Sequence, residues 1–266
     1  MKKCLFALIL ACLFLLSACG EAPSNPAPAA PETPAPTAAP EPAPEPTPEP
    51  TPEPTPEPTP EPAPTVITGL CEEGDYSDGV GNQYHYCYAL PVITGQSDDI
   101  ERLNADLYAA FAPDIEDMLK AMEDGYSLFV LSIGYEAWQN GDVLSVLVSE
   151  NNDWGMTRYY AMNLQLSDKS EASREELLAL YGLDEASFTA AAAQAAGSYF
   201  EERCQSMSSA QYLELGGEEL YAKTTDPANF GPELPLWIDG EGRLCLAAHI
   251  YSFAGAEYYD HVVPIV

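Results

Sequence analysis

Apolar positions along residues 66–266 recur with two different periods, and the switches between them divide the chain into elements. Val66-Ile67-Thr68-Gly69-Leu70-Cys71 reads as a short strand. After a Gly/Asp-rich loop, Tyr84-His85-Tyr86-Cys87-Tyr88-Ala89-Leu90-Pro91-Val92 alternates with period two, so Tyr84, Tyr86 and Tyr88 share a face. Ile100, Leu103, Leu107, Phe111 and Ile115 then recur at helical spacing behind a cap at Ser97 or Asp98. Pro113 is expected to kink or restart that helix before Met118 and Leu119. Tyr126–Trp138, the Asn140-Gly141 turn, Val143–Val148, the turn at Asn151–Gly155 and Met156–Leu166 predict a three-stranded meander.

Ser173-Arg174-Glu175-Glu176 has the form of a capping box and opens a short helix ending at Tyr181-Gly182. An Ala-rich helix from Asp184 to about Cys204 follows. Residues 207–233, broken by Gly, Asn and Pro, predict no element. Leu234–Ile238, a Gly240-Glu241-Gly242 turn, Leu244–Phe253 and Tyr258–Ile265 read as closing strands. Helices and antiparallel strands in separate runs predict an α+β domain, with one or more antiparallel sheets and a β-meander packed against several helices. Some 200 residues suffice for one sizeable core or two closely packed subdomains.

The N-terminal quarter has a different composition. Lys2 and Lys3 precede an apolar run from Cys4 to Leu16, too short for the roughly 20 residues of a spanning helix. It suits a secretory leader. Leu16-Ser17-Ala18-Cys19-Gly20 resembles a bacterial lipobox, in which small residues fit a peptidase groove and the Cys19 thiol accepts a diacylglyceryl group. An ordinary cleavage site that happens to contain Cys is the alternative. From Ala22 to Pro64 nearly every residue is Pro, Ala, Glu or Thr, with Pro-Glu-Pro-Thr repeating. Such a segment has no apolar surface to bury. Dense proline favours an extended chain, and some 43 residues would reach on the order of 130 Å. The expected organisation is a lipoprotein signal peptide over 1–19, a disordered stalk over 20–65 and a folded domain over 66–266. The expected location is the extracytoplasmic side of the cell membrane, with the bilayer held through acylated Cys19.

The formal charge is −32, from 42 acidic and ten basic residues. Residues 1–65 hold eight of the acids and two of the bases, so 66–266 carries 34 acids, eight bases and a net charge of −26. That excludes nucleic acid and anionic lipid surfaces as partners and favours cationic ones, unless acidity serves solubility alone. Seven cysteines fall to five once the leader is removed, and Cys19 is consumed by lipid. Cys71, Cys87, Cys204 and Cys245 remain, an even number in an oxidising compartment. Cys71–Cys87 and Cys204–Cys245 are the favoured pairings, isolated thiols the alternative. No spacing suggests zinc.

The landmarks Asn104, Ile133-Gly134-Tyr135, Val143–Val148, Tyr160-Ala161-Met162-Asn163-Leu164, Glu176-Leu177-Leu178, Leu244–Tyr251 and Ala254–Tyr259 carry a family resemblance. Residues 66–266 resemble the extracytoplasmic region of RsiV-type anti-sigma factors and the N-terminal module of PdaC-type peptidoglycan deacetylases. The pattern departs at Ser167-Asp168-Lys169, where a Thr-Gly-Lys-like turn would be expected. The resemblance implies an α+β module at the cell wall that binds or senses an envelope ligand, cell-wall glycan or a basic protein such as lysozyme. Its motifs are apolar patterns, so no ligand-contact residues follow from them.

Candidate chemistry is sparse. There is no nucleophile elbow, zinc-protease helix motif, phosphate loop or dinucleotide fingerprint. No catalytic residue, metal ligand or cofactor is expected. The alternatives to a binding module are a cell-wall-modifying accessory enzyme and a structural lipoprotein without a defined ligand. The enzyme reading needs His249, Asp260 and His261 in one cleft, where they would ligate metal or shuttle protons. Asp75-Tyr76-Ser77-Asp78-Gly79 with Asn82 reads either as a loose calcium loop or as an ordinary polar loop. The tyrosine stripe suits either glycan rings or a half-buried sheet face. Mass spectrometry of the mature protein is expected to show a diacylated Cys19 terminus, and Cys19→Ser to release the protein from the membrane fraction. A mature terminus without lipid overturns the anchor.

Overall fold

The computed structural model describes residues 63–253 and 255–266. Cys19, the leader and the stalk to residue 62 lie outside the described residues. Strands β1 (Val66–Ser77), β2 (Gln83–Ile93), β3 (Val130–Asn140), β4 (Val143–Asn152) and β5 (Thr157–Gln165) form a five-stranded sheet in that order. Helix α1 (Asp98–Asp124) connects β2 to β3. Helices α2 (Arg174–Leu180), α3 (Glu185–Cys204), α4 (Ser209–Glu214) and α5 (Gly217–Thr224) precede a second sheet. Its strands β6 (Leu236–Ile238), β7 (Leu244–Tyr251) and β8 (Tyr258–Pro264) are antiparallel. The fold is α+β, as expected, and mostly antiparallel. The exception is β2–β3, parallel at Cys87↔Ser132 and Tyr88↔Ile133. A 27-residue helix between the two strands returns the chain to the end where β2 began, so the next strand runs the same way.

Helix α1 follows its apolar stripe. Ser97 accepts a hydrogen bond from the Ile100 amide, and Gly125, at φ 77°, closes the helix in the left-handed conformation. Pro113 neither ends nor restarts it. Proline removes one backbone bond, but Phe111, Ile115 and Met118 on either side are buried against the sheet and carry the helix through. Strand β1 is twice its expected length, because residues 72–77 pair in register with Tyr88 through Gln83. The tyrosine stripe is a buried face. Tyr86 and Tyr88 pack under α1, and their hydroxyls donate to the two carboxylate oxygens of Glu72 at 2.9 and 2.8 Å. The loop left between β1 and β2 is organised by Asp78. Its carboxylate accepts from the Val80 and Asn82 amides, the Asn82 side chain and the Ser127 hydroxyl, at 2.8–3.0 Å. Asp75 instead faces His85 from the strand. The loop is thus a polar anchor with its carboxylates already engaged.

In the meander, β3 begins at Val130, four residues later than Tyr126. Asn140 pairs with Val143, so the two loop residues are Gly141 and Asp142, with Gly141 at φ 61°. Both faces of β4 are buried. Leu144, Val146 and Val148 face α1 with Met162 and Leu164. Leu147, with Tyr159, Ala161 and Trp138, faces Trp237, Cys245, Ala247 and Val262 of the second sheet. The far side of that sheet, Leu244, Leu246, Ala248 and Ile250, packs under Phe188, Ala192, Ala196 and Phe200 of α3. The small residues of α3 let α5 approach: a Cβ on Gly197 would lie 2.9 Å from the Tyr221 hydroxyl. The segment with no predicted element therefore holds two short α-helices and a 3-10 turn at Pro227–Asn229; Tyr212 packs α4, and Leu220 and Tyr221 pack α5, against the second core.

Two buried polar side chains join the sheets. The Ser145 hydroxyl donates to Asn163 Oδ1 at 2.7 Å and accepts from the Ile238 amide at 3.1 Å. Asn163 Nδ2 donates to the Leu236 carbonyl at 2.8 Å. Removing one partner strands the others in an apolar interior. Asn163→Ala is therefore expected to lower the unfolding free energy of the 63–266 domain by about 1–3 kcal/mol in urea titration; an unchanged midpoint would contradict this linkage.

Acid sensitivity should trace to Asp78. Burial alone would raise its pKa, but bonds from Asn82, Ser127 and the loop amides lower it from 3.8 to about 2. A carboxyl depressed in the folded state stabilises above its unfolded pKa, and that contribution disappears as pH falls through the folded value. The urea midpoint should thus fall between about pH 4 and pH 2, and Asp78→Asn should flatten that fall.

Candidate functional site

Strand parity decides where the histidines stand. The β7–β8 ladder sets His249 opposite Asp260 and Ala248 opposite His261. Alternate residues of a strand point to opposite faces. His249 Nδ1 and Asp260 Oδ1 meet at 2.5 Å on the face toward the five-stranded sheet, with the Tyr258 ring 4.1 Å from the imidazole. His261 points the other way, toward α3, with Nδ1 2.9 Å from the Tyr199 hydroxyl. Burial lowers its pKa, and the Arg203 cation adds to that. His249, Asp260 and His261 therefore do not line one cleft. His85 lies on the outer face of β2, 3.1 Å from Asp75 and 3.6 Å from Glu73. Among the described residues no three His, Cys, Asp or Glu side chains are placed to hold a metal ion.

The His249 face opens on a cleft of about 500 Å³ between β5 and residues 232–236, with Tyr159, Asn163, Arg174 and Glu233 on its walls. Arg174 is held by Glu185 at 2.9 Å, by the Phe230 carbonyl at 3.1 Å and by the Phe188 ring beneath its guanidinium. Its Nη1 is buried without a hydrogen-bond partner among the described residues. Ser173, one of the hydroxyls on the cleft wall beside those of Tyr159 and Tyr160, is spent on the α2 cap, accepting from the Glu176 amide and donating to its carboxylate. The cleft can hold a polar group, and His249, paired with Asp260, stands on its wall.

The four cysteines are free thiols in the structure. Cys204 lies with the residues between α3 and the second sheet, whereas Cys245 faces the first sheet beside Trp237. Leu244 and Leu246, flanking Cys245, face α3, so Cys245 is turned away from Cys204 in this structure. Burial, with Asp239 adding to it, pushes the Cys245 thiol up to about 12. Burial also raises Cys204. Neither is activated as a nucleophile. Cys71 and Cys87 share the outer face of the β1–β2 hairpin, where Cys71 stands opposite Ala89 and Cys87 opposite Glu73. They are diagonal neighbours, the arrangement closest to the expected hairpin bridge.

The charged groups form the most distinctive feature. Arg102 binds Asp99, Asp106 and Glu171 at 2.5–3.4 Å. Arg158 binds Asp114 and Glu150 at 2.5 and 2.6 Å. Burial raises the Glu150 pKa, and Arg158 counters it. Arg174, Lys223 and Arg243 pair with Glu185, Glu219, and Asp239 plus Glu241. Among the described residues at least five of the eight basic side chains are thus turned onto the domain's own carboxylates. The 34 acids outnumber the eight bases more than fourfold. The turn at Asn151–Gly155 is legible in the sequence, but nothing there places the exposed Trp154 against Phe129, their rings edge to face at 5.1 Å.

No helix among the described residues is long and apolar enough to cross a membrane. No protein-family model matches the chain, and no curated protein is similar to it. One solved structure that is similar is a member of the DUF3298 family from Bacteroides fragilis. It shares 9% identity over 76% of this chain and 90% of that one, with a TM-score of 0.39, a likeness too slight to carry an inference of fold or activity.

Proposed function

We propose that this chain is an extracytoplasmic lipoprotein, anchored through Cys19 and extended on its Pro/Glu/Thr stalk, whose folded domain captures a cationic protein. The observation that carries the reading is the allocation of charge. With a net of −26 over 66–266 and five basic side chains committed to internal ion pairs, the surface field is negative and unscreened by its own cations. Such a field raises encounter rates with a basic partner and repels nucleic acid. The accessory-enzyme reading has lost its motivating geometry, since strand parity separates His261 from the His249–Asp260 pair. The family resemblance points to lysozyme as a first partner to try, and to soluble cell-wall glycan fragments as the uncharged comparison.

Calorimetric titration of the 63–266 domain with lysozyme is expected to give binding at about 20 mM salt that weakens at least tenfold by about 300 mM, as screening of surface charge requires. Salt-insensitive binding of the glycan fragments without lysozyme binding would replace this reading with a glycan-binding one. Binding of neither at low ionic strength overturns it.

A further inference from the structure

An exposed aromatic pair lies beside an unpaired carboxylate at the end of the five-stranded sheet where α1 finishes. Trp154 is 71% exposed and Phe129 49% exposed. Neither position is an accident of a loose loop. The Asn152 side chain accepts hydrogen bonds from the Trp154 and Met156 amides, both at 3.0 Å, and the Asp153 amide donates to the Phe129 carbonyl at 2.8 Å. The turn is therefore braced from within and tied to β3, and it holds the indole out into solvent. Large aromatic side chains held rigidly in water are the residues from which protein interfaces draw most of their energy.

Phe129 also walls a small depression of about 160 Å³. Met118, Ala121 and Val130 supply apolar walls, and Asp114, Asp117 and Ser127 supply the polar ones. The volume suits one side chain rather than a whole ligand. Asp114 already carries a cation, since Arg158 binds it with its guanidinium 4.7 Å above the Phe111 ring. Asp117, three residues further along α1, has no ion-pair partner among the described residues. One end of this acidic groove thus shows an arginine seated between a carboxylate and an aromatic ring. The other end has the same two components and no cation. A lysine or arginine from outside would lay its methylene stem on Met118 and Val130, bring its charge to Asp117 and place its neighbouring residues on Phe129 and Trp154.

We propose that Asp117, Phe129 and Trp154 form the docking socket for a basic side chain of a cationic protein partner. This rests on the charge-capture reading and gives it a place on the surface. The occupant follows from complementarity: an apolar slot of one-side-chain size, an unanswered carboxylate at its wall, and a domain whose field concentrates cations.

The test uses the full-length protein and a fluorescein-labelled octa-lysine peptide, read by anisotropy at low salt. Trp154→Ala and Asp117→Asn are each expected to weaken binding about two- to fivefold, the upper part of the range for a cation near an exposed aromatic ring or a lost surface ion pair. Glu218→Gln, which removes the same charge from α5, should change it less than twofold. Both substituted socket positions are exposed, so circular dichroism should be unchanged. If the peptide binds the parent protein but all three variants bind it equally well, the socket is overturned and the charge reading stands. If the parent protein does not bind the peptide at all, both fall.

Discussion

Strand β4 is buried on both faces, and the rest of the domain is arranged around that constraint. One row of its side chains needs a helix, and α1 supplies it. The other row needs a second apolar surface, and the three-stranded sheet supplies that. Each fully buried Val or Leu contributes about 1.5–3 kcal/mol relative to exposure, so neither face can be left in water. The second sheet then has its own far face to cover, which draws in α3 and, over its small residues, α5. The order from α1 through two sheets to α3 follows from this one strand. Ser145 and Asn163 are the polar groups tolerated at the seam, because each bonds directly with the β6 backbone.

The same layering separates groups that sequence proximity would unite. Asp260 and His261 are neighbours in the chain and lie on opposite sides of a sheet. Cys245 sits between two leucines that face α3 and so faces away from Cys204. The surface carries a large excess of acidic charge and a few exposed aromatic rings. In the proposed reading these serve as binding components: a long-range field that steers a partner and fixed apolar faces that hold it.

Much of the local structure was legible in the residues. The Ser97 cap, the Ser173–Glu176 box, the α1 stripe and the alternation in β2, β4 and β7 all reflect interactions within a few positions along the chain. The parity argument against the His249, Asp260 and His261 cluster was legible too, since adjacent strand residues cannot share a face. Two places were not legible, the unbroken run of α1 through Pro113 and the helices within residues 207–233, because packing outweighs local preference there. Packing of Phe111 and Ile115 holds α1 together across its proline, and Tyr221 seated against Gly197 makes helices of a segment with weak signals of its own.

By itself the sequence determined most of the elements, their amphipathic faces and the net charge, because those depend on near neighbours and on counting. Only the tertiary structure decided that β2 and β3 run parallel, that β4 is covered on both sides, and that Phe129 meets Trp154 beside Asp117. Those arrangements join residues dozens of positions apart, and which pairs meet is settled by how whole layers bury their apolar faces together rather than by any pattern within one segment.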